Sequence, residues 1–201
     1  MGQRLNLEIC IDNEPLANVY YHWSGYTQAA LQLADDFISS VTRLQTGSKN
    51  DKLVPIVLTA LRNNGASLSE KEAAALIERF PDLIGQPVSR PALEKDLNRN
   101  NGLIAFSEDG MNETRCCAEA TVTIDVGTRL VSFDAVWSGD DMDPEYTNGQ
   151  LTAENTLDIG DIRIDSALPY ETFHRLAVMG LRRPVPFYWR EDDGTIWACI
   201  E

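Results

Sequence analysis

The chain has 201 residues, 43% of them hydrophobic and 24% charged, which suits one ordinary globular domain whose core needs no disulfide or metal to hold it. That balance excludes global disorder, and the longest apolar stretches fall far short of a membrane span. The net charge of −14 is unevenly placed: residues 1–100 carry 12 acidic and 10 basic side chains, residues 101–201 carry 19 and 7, and no lysine follows Lys95. Such a second half offers no basic field to a phosphate backbone, so direct nucleic-acid binding is not expected.

The N-terminus, Met1-Gly2-Gln3-Arg4-Leu5-Asn6, lacks the basic and apolar regions of a secretory signal, and Asn6 stands where a myristoylation motif needs Ser or Thr. Leu5, Leu7, Ile9 and Ile11 then alternate with Arg4, Asn6, Glu8 and Cys10, the pattern of a half-buried strand. After the turn signal Asp12-Asn13-Glu14-Pro15, a second strand sets Ala17, Val19, Tyr21 and Trp23 inward and Asn18, Tyr20 and His22 outward.

From Thr27 the period becomes helical, with Ala30, Leu33, Ala34, Phe37, Ile38, Val41 and Leu44 on one stripe and Gly47 at its end. Residues 52–64 form a second, more buried helix. Ser69 with Glu72 matches a capping box opening a third, which Pro81 stops. A short fourth helix is expected from Pro91, ending before Gly102.

The second half reads mainly as strand. Leu103–Phe106 comes first, then Ala118–Val126, and then a partner strand turning Val131, Phe133, Ala135 and Trp137 inward across Gly127-Thr128. Ile162 and Ile164 suggest a further strand, and Pro169–Met179 a helix with Gly180 as its C-cap. A hairpin pairing about 185–190 with 195–200 closes the chain. Strands at both ends and in the middle thus bracket a helical block at about 27–100. The expectation is a single α+β domain over 1–201 with a mainly antiparallel sheet, not the strict alternation of a parallel one.

Motifs that name a chemistry are absent: no phosphate-binding glycine loop, zinc-protease helix or nucleophile elbow occurs, and no cofactor is expected. Only His22 and His174 exist, and Cys116-Cys117 would point to opposite faces if extended, so no metal site is expected. Asp140-Asp141-Met142-Asp143-Pro144-Glu145 gathers hard oxygen donors, but Tyr146 and Thr152 stand where a calcium loop needs Gly and Glu. Cys10, Cys116, Cys117 and Cys199 show no CxxC spacing, as for reduced thiols in a cytoplasmic protein. A hairpin followed by two long helices is similar to the layers of N-terminal-nucleophile hydrolases, but Gly2 offers no nucleophile after loss of Met1.

Two segments stand out as candidate sites. Tyr20-Tyr21-His22-Trp23-Ser24-Gly25-Tyr26-Thr27 lies where strand yields to helix. There His22 would be a general base with Ser24 or Tyr26 as nucleophile or donor, and Arg4 or Asn6 beside them. The alternative is aromatic packing with Ser24 or Thr27 as a helix cap. The other segment holds Asp134, Asp140, Asp141, Asp143, Glu145, Glu154, Asp158, Asp161 and Asp165 against the lone base Arg163. Carboxylates so spaced can imitate a phosphate backbone and fill a basic groove, with Trp137, Met142 and Tyr146 as apolar anchors. The bland reading is a surface kept soluble.

The opening MGQRLNLEICIDNEPLANVYYHWSGYT resembles a recurring N-terminus of uncharacterised proteins of Gram-positive bacteria and their prophages, and NNGLIAFSEDGMNETRCCAEATVTID is similar to a second block of that group. The resemblance implies a mobile-element context. Small acidic proteins in that context are often inhibitors of host nucleic-acid-handling machinery, anti-CRISPR proteins among them. The expectation is therefore an acidic, non-enzymatic regulatory protein with a basic protein partner such as a host-defence nuclease. The alternative is a small enzyme built on His22.

Overall fold

The structure is a computed structural model, and it describes residues 4–25, 27–47, 53–83, 101–118, 120–134, 167–181, 187–190 and 196–199. Strands β1 (Leu5–Ile11) and β2 (Glu14–Tyr21) form the expected hairpin. Its two-residue loop, Asp12-Asn13, has φ of 53° and 69°, a left-handed pair that Asp and Asn tolerate better than other side chains. The register slips between Ile9 and Cys10, leaving Leu16 as the extra residue of a bulge, so Pro15 sits at an irregularity where a missing N–H is tolerated.

Helices α1 (Thr27–Gly47) and α2 (Leu53–Asn63) follow, then the short strand β3 (Ser67–Leu68), helix α3 (Glu70–Arg79) and a 3-10 turn at Pro81–Leu83. The apolar stripe of α1 is buried as its spacing requires: Ala30, Ala34, Phe37, Ile38 and Val41 are each 3% exposed or less. The expected helix near Pro91 lies outside the described residues. Beyond it come β4 (Leu103–Ala105), α4 (Glu108–Cys116), β5 (Ala120–Asp125), β6 (Leu130–Asp134), β7 (Leu168–Pro169) and α5 (Tyr170–Leu181). The closing hairpin is present as β8 (Phe187–Arg190) paired antiparallel with β9 (Ile196–Cys199).

Among the described residues the main sheet has seven strands in the order β3-β4-β2-β1-β5-β6-β7. The fold is α+β, and the sheet is mixed: four neighbouring pairs are antiparallel, while β1/β5 and β3/β4 are parallel. Since β1 is antiparallel to β2, and β2 to β4, strands β4 and β5 run the same way. The unit β4-α4-β5 is thus a crossover that carries α4 over β2 and β1.

That crossover corrects several expectations. Helix α4 is not foreshadowed by apolar periodicity, because Met111 is its one buried side chain of any size. Ser107 caps it, accepting from Gly110 N–H at 3.1 Å. Strand β1 is buried on both faces instead of one: Leu5, Leu7 and Ile9 are fully buried, and so is Asn6 on the other side. The first strand of the second half ends at Ala105, and the next starts at Ala120. Strand β2 stops at Tyr21, so Trp23 is not an inward strand residue but sits in a turn, 45% exposed. Gly180 does not cap α5, which runs through it to Leu181; a glycine costs a helix about 1 kcal/mol but does not force it to stop. Ala135, Trp137 and the strand expected at Ile162 and Ile164 lie outside the described residues. Among the described residues, no helix is long and apolar enough to cross a membrane.

Candidate functional site

The two faces of the sheet carry different chemistry because the register aligns like with like. Leu7 of β1 stands between Val19 and Val122, and Ile9 between Ala17 and Ile124. On the opposite face Asn6 stands between Tyr20 and Thr121, and Glu8 between Asn18 and Thr123. Helix α4 covers part of this polar face. Asn18 Nδ2 donates to Met111 O and Thr114 Oγ1, both at 3.0 Å, and Arg115 Nε donates to Glu8 Oε1 at 2.6 Å. Glu8 also accepts weakly from Asn6 Nδ2 and Thr123 Oγ1 at 3.4 Å. The buried Asn6 Oδ1 accepts no hydrogen bond among the described residues.

Of the expected His22 cluster, part assembles. Asn6 does lie beside Tyr20, as the hairpin register demands. Tyr20 Oη and His22 Nδ1 are 2.6 Å apart, the ring tautomer deciding which of them donates, and the Trp23 ring meets the imidazole edge-on at 4.7 Å. Ser24 is 1% exposed, which shields its hydroxyl from a substrate in solution. Arg4, half-buried, precedes β1 and accepts at its carbonyl from Ala120 N–H at 3.0 Å. Tyr26 lies outside the described residues. Among the described residues the arrangement pairs an imidazole with a phenol, while the Ser24 hydroxyl is buried.

The other histidine has the better carboxylate. His174 Nδ1 of α5 lies 2.9 and 3.1 Å from the two oxygens of Asp35 on α1, tying these neighbouring helices together. Sequence reasoning did not single out this pair, since 139 positions separate its members and neither belongs to a motif. Among the described residues no group of three His, Cys, Asp or Glu side chains could hold a metal ion.

Two buried carboxylates hold the frame. Glu72 is the third helical residue of α3, and its N–H donates to Ser69 Oγ at 3.3 Å, as a capping box requires. Its side chain departs from the box. Instead of returning to Ser69 N–H, it accepts from Phe106 N–H at 2.5 Å, Ser107 N–H at 2.8 Å and Ser107 Oγ–H at 2.7 Å. Glu72 therefore braces the start of α4, where a carboxylate is favoured by the helix dipole. Gly110 leaves room for this brace, because a Cβ there would run into Glu72 Oε1 and Ser107 Oγ and one of them would have to shift.

At the far end of the sheet, Asp125 accepts from the N–H groups of Asp12, Asn13, Gly127 and Thr128 at 2.6–3.0 Å. Burial alone would raise its pKa, but the four donors together hold it below the ordinary carboxylate value. One carboxylate thus clamps the β1–β2 and β5–β6 turns. Tyr170 adds a bond from its hydroxyl to Asp125 O at 3.1 Å, with Arg129 over its ring.

Of the acidic candidates, Asp134 ends β6, where it pairs with Thr121; Trp137, Asp140, Asp141, Asp143, Glu145, Tyr146, Glu154, Asp158, Asp161 and Asp165 lie outside the described residues. The described part of the acidic half includes α4, whose Glu108, Asp109 and Glu113 are exposed while its one base, Arg115, is engaged by Glu8. The fold thus defines an α+β protein with a mixed sheet and one polar face under a crossover helix. Compared with known proteins, the chain matches no family model, no curated protein and no solved structure.

Proposed function

We propose that this is an acidic binding protein of the cytoplasm, belonging to a mobile element, that occupies a basic surface on a nucleic-acid-handling protein and inhibits it in the manner of an anti-CRISPR protein. The observation that carries the reading is the charge imbalance: the second half holds 19 acidic against 7 basic residues, densest from Asp134 to Asp165. Helix α4 supports it, since its exposed acids face solvent while Arg115 is drawn to Glu8. A field of one sign speeds and orients docking onto a basic groove. Trp137, Met142 and Tyr146 would supply apolar anchors within the acidic stretch.

The test is affinity for a basic partner recovered from host lysate, measured as ionic strength rises. Binding should weaken steeply between 0.1 and 1 M salt, as the Debye length shrinks from about 10 Å to about 3 Å. It should also weaken when Asp140, Asp141 and Asp143 become Asn and Glu145 becomes Gln. Affinity that stays flat with salt and survives those changes sinks the proposal.

A second reading, a small enzyme using His22, draws support from the 2.6 Å contact with Tyr20. It requires His22→Ala to abolish an activity with an unchanged thermal midpoint; a large loss of stability instead marks the imidazole as packing.

A further inference from the structure

We infer that Cys116 and Cys117 form a two-thiolate site for monosubstituted trivalent arsenicals at the junction of α4 and β5. The two cysteines are adjacent, free and exposed. In an extended strand they would project to opposite faces. Instead Cys116 is the last residue of α4 and Cys117 is its C-cap, at φ −102° and ψ −6°. Successive residues of a helix are about 100° apart, so the two side chains leave the backbone at about that angle to each other and not at the half-turn of a strand.

The turn that presents them is held at both ends. The N–H groups of Cys117 and Ala118 both donate to Arg115 O, and the Arg115 guanidinium is tied to Glu8 at 2.6 Å. Past the pair, Ala120 N–H donates to Arg4 O at 3.0 Å as β5 enters the sheet. A second sulfur carried on so short and anchored a segment closes its bond at high effective concentration once the first has formed.

Donor count selects the occupant. Among the described residues no third His, Cys, Asp or Glu joins the pair, where a tetrahedral ion such as zinc takes four ligands. An arsenical R–As=O is satisfied by two sulfurs. Two As–S bonds form, the As=O oxygen leaves as water with both thiol protons, and no electron is transferred, so no oxidant is needed. Cys10 does not compete: burial, then Glu8 and Asp125, push its thiol up to about 11.

The probe is phenylarsine oxide added to the reduced full chain, followed by intact mass and thiol counting. One adduct per chain is expected, with two reactive thiols lost, reversed by a small dithiol but not by excess monothiol. Cys116→Ser and Cys117→Ser should each weaken binding at least about 100-fold. Cys199→Ser should leave it unchanged, as should the acidic-stretch substitutions above, which keeps this test separate from that of partner binding. Either single serine variant binding as tightly as the parent, or loss of binding in Cys199→Ser, overturns the assignment. Should a serine variant fold poorly, Cys116→Ala and Cys117→Ala, checked for a native thermal midpoint, give the same reading.

Discussion

The two faces of the central sheet are stabilised by different physics. On one, Leu5, Leu7 and Ile9 of β1 lie flush with Val19, Val122 and Ile124 beneath the stripe of α1, and stability comes from apolar area removed from water. On the other, Asn18, Glu8 and Asp125 reach partners on a helix or a distant turn, and stability depends on each polar group finding its mate. The first face tolerates exchange of one hydrocarbon for another of similar volume. The second is specific, since a missing partner leaves a buried dipole or charge unanswered.

Substitutions can break that contrast in graded steps. Phe37→Ala, on the apolar side and 1% exposed, should cost about 3–5 kcal/mol in denaturant unfolding. Glu72→Ala should cost about 2–3 kcal/mol by stripping three donors of their acceptor, while Glu72→Gln, which keeps one oxygen, should cost about 1 kcal/mol. Equal losses for Ala and Gln would mean that charge, not hydrogen bonding, braces α4.

Asp125→Asn should cost about 1–2 kcal/mol at neutral pH. Because the folded-state pKa of Asp125 is lowered, its contribution is full above the unfolded value of about 3.9 and is lost as pH falls through the lower folded value. The gap between parent and variant should therefore narrow in urea unfolding as pH drops below about 4. A constant gap would remove Asp125 from the acid limb. Arg115→Ala should cost the least, under about 1 kcal/mol, since its side chain is 40% exposed and the ion pair is screened.

The apolar face was legible in the sequence because its signal is periodic and local. The i, i+3, i+4 stripe of α1 and the alternation of Leu5, Leu7 and Ile9 need no knowledge of what packs on them. The Ser69 cap was legible for the same reason. The destination of the Glu72 carboxylate was not, since Ser107 lies 35 positions away and no spacing rule connects them. Helix α4 hid because it buries little hydrocarbon, although Ser107 followed by Glu108 and Asp109, with Arg115 in the last turn, was a start-and-stop signal available to be read. Of the His22 cluster, the Asn6–Tyr20 adjacency followed from the hairpin. The burial of Ser24 and the exposure of Trp23 did not, because they depend on where β2 ends.

The parallel pairing of β1 with β5 has a consequence for the chain as it is made. Asp12 meets Asp125 across 113 positions, so β1 and its hairpin partner β2 are both made long before the second neighbour of β1 has been synthesised. Until then one edge of Leu5–Ile11, a run of mostly apolar residues destined for the middle of the sheet, is open to the wrong strand. The nascent protein is most vulnerable to aggregation in that interval, and a pause in translation before β5 would lengthen it.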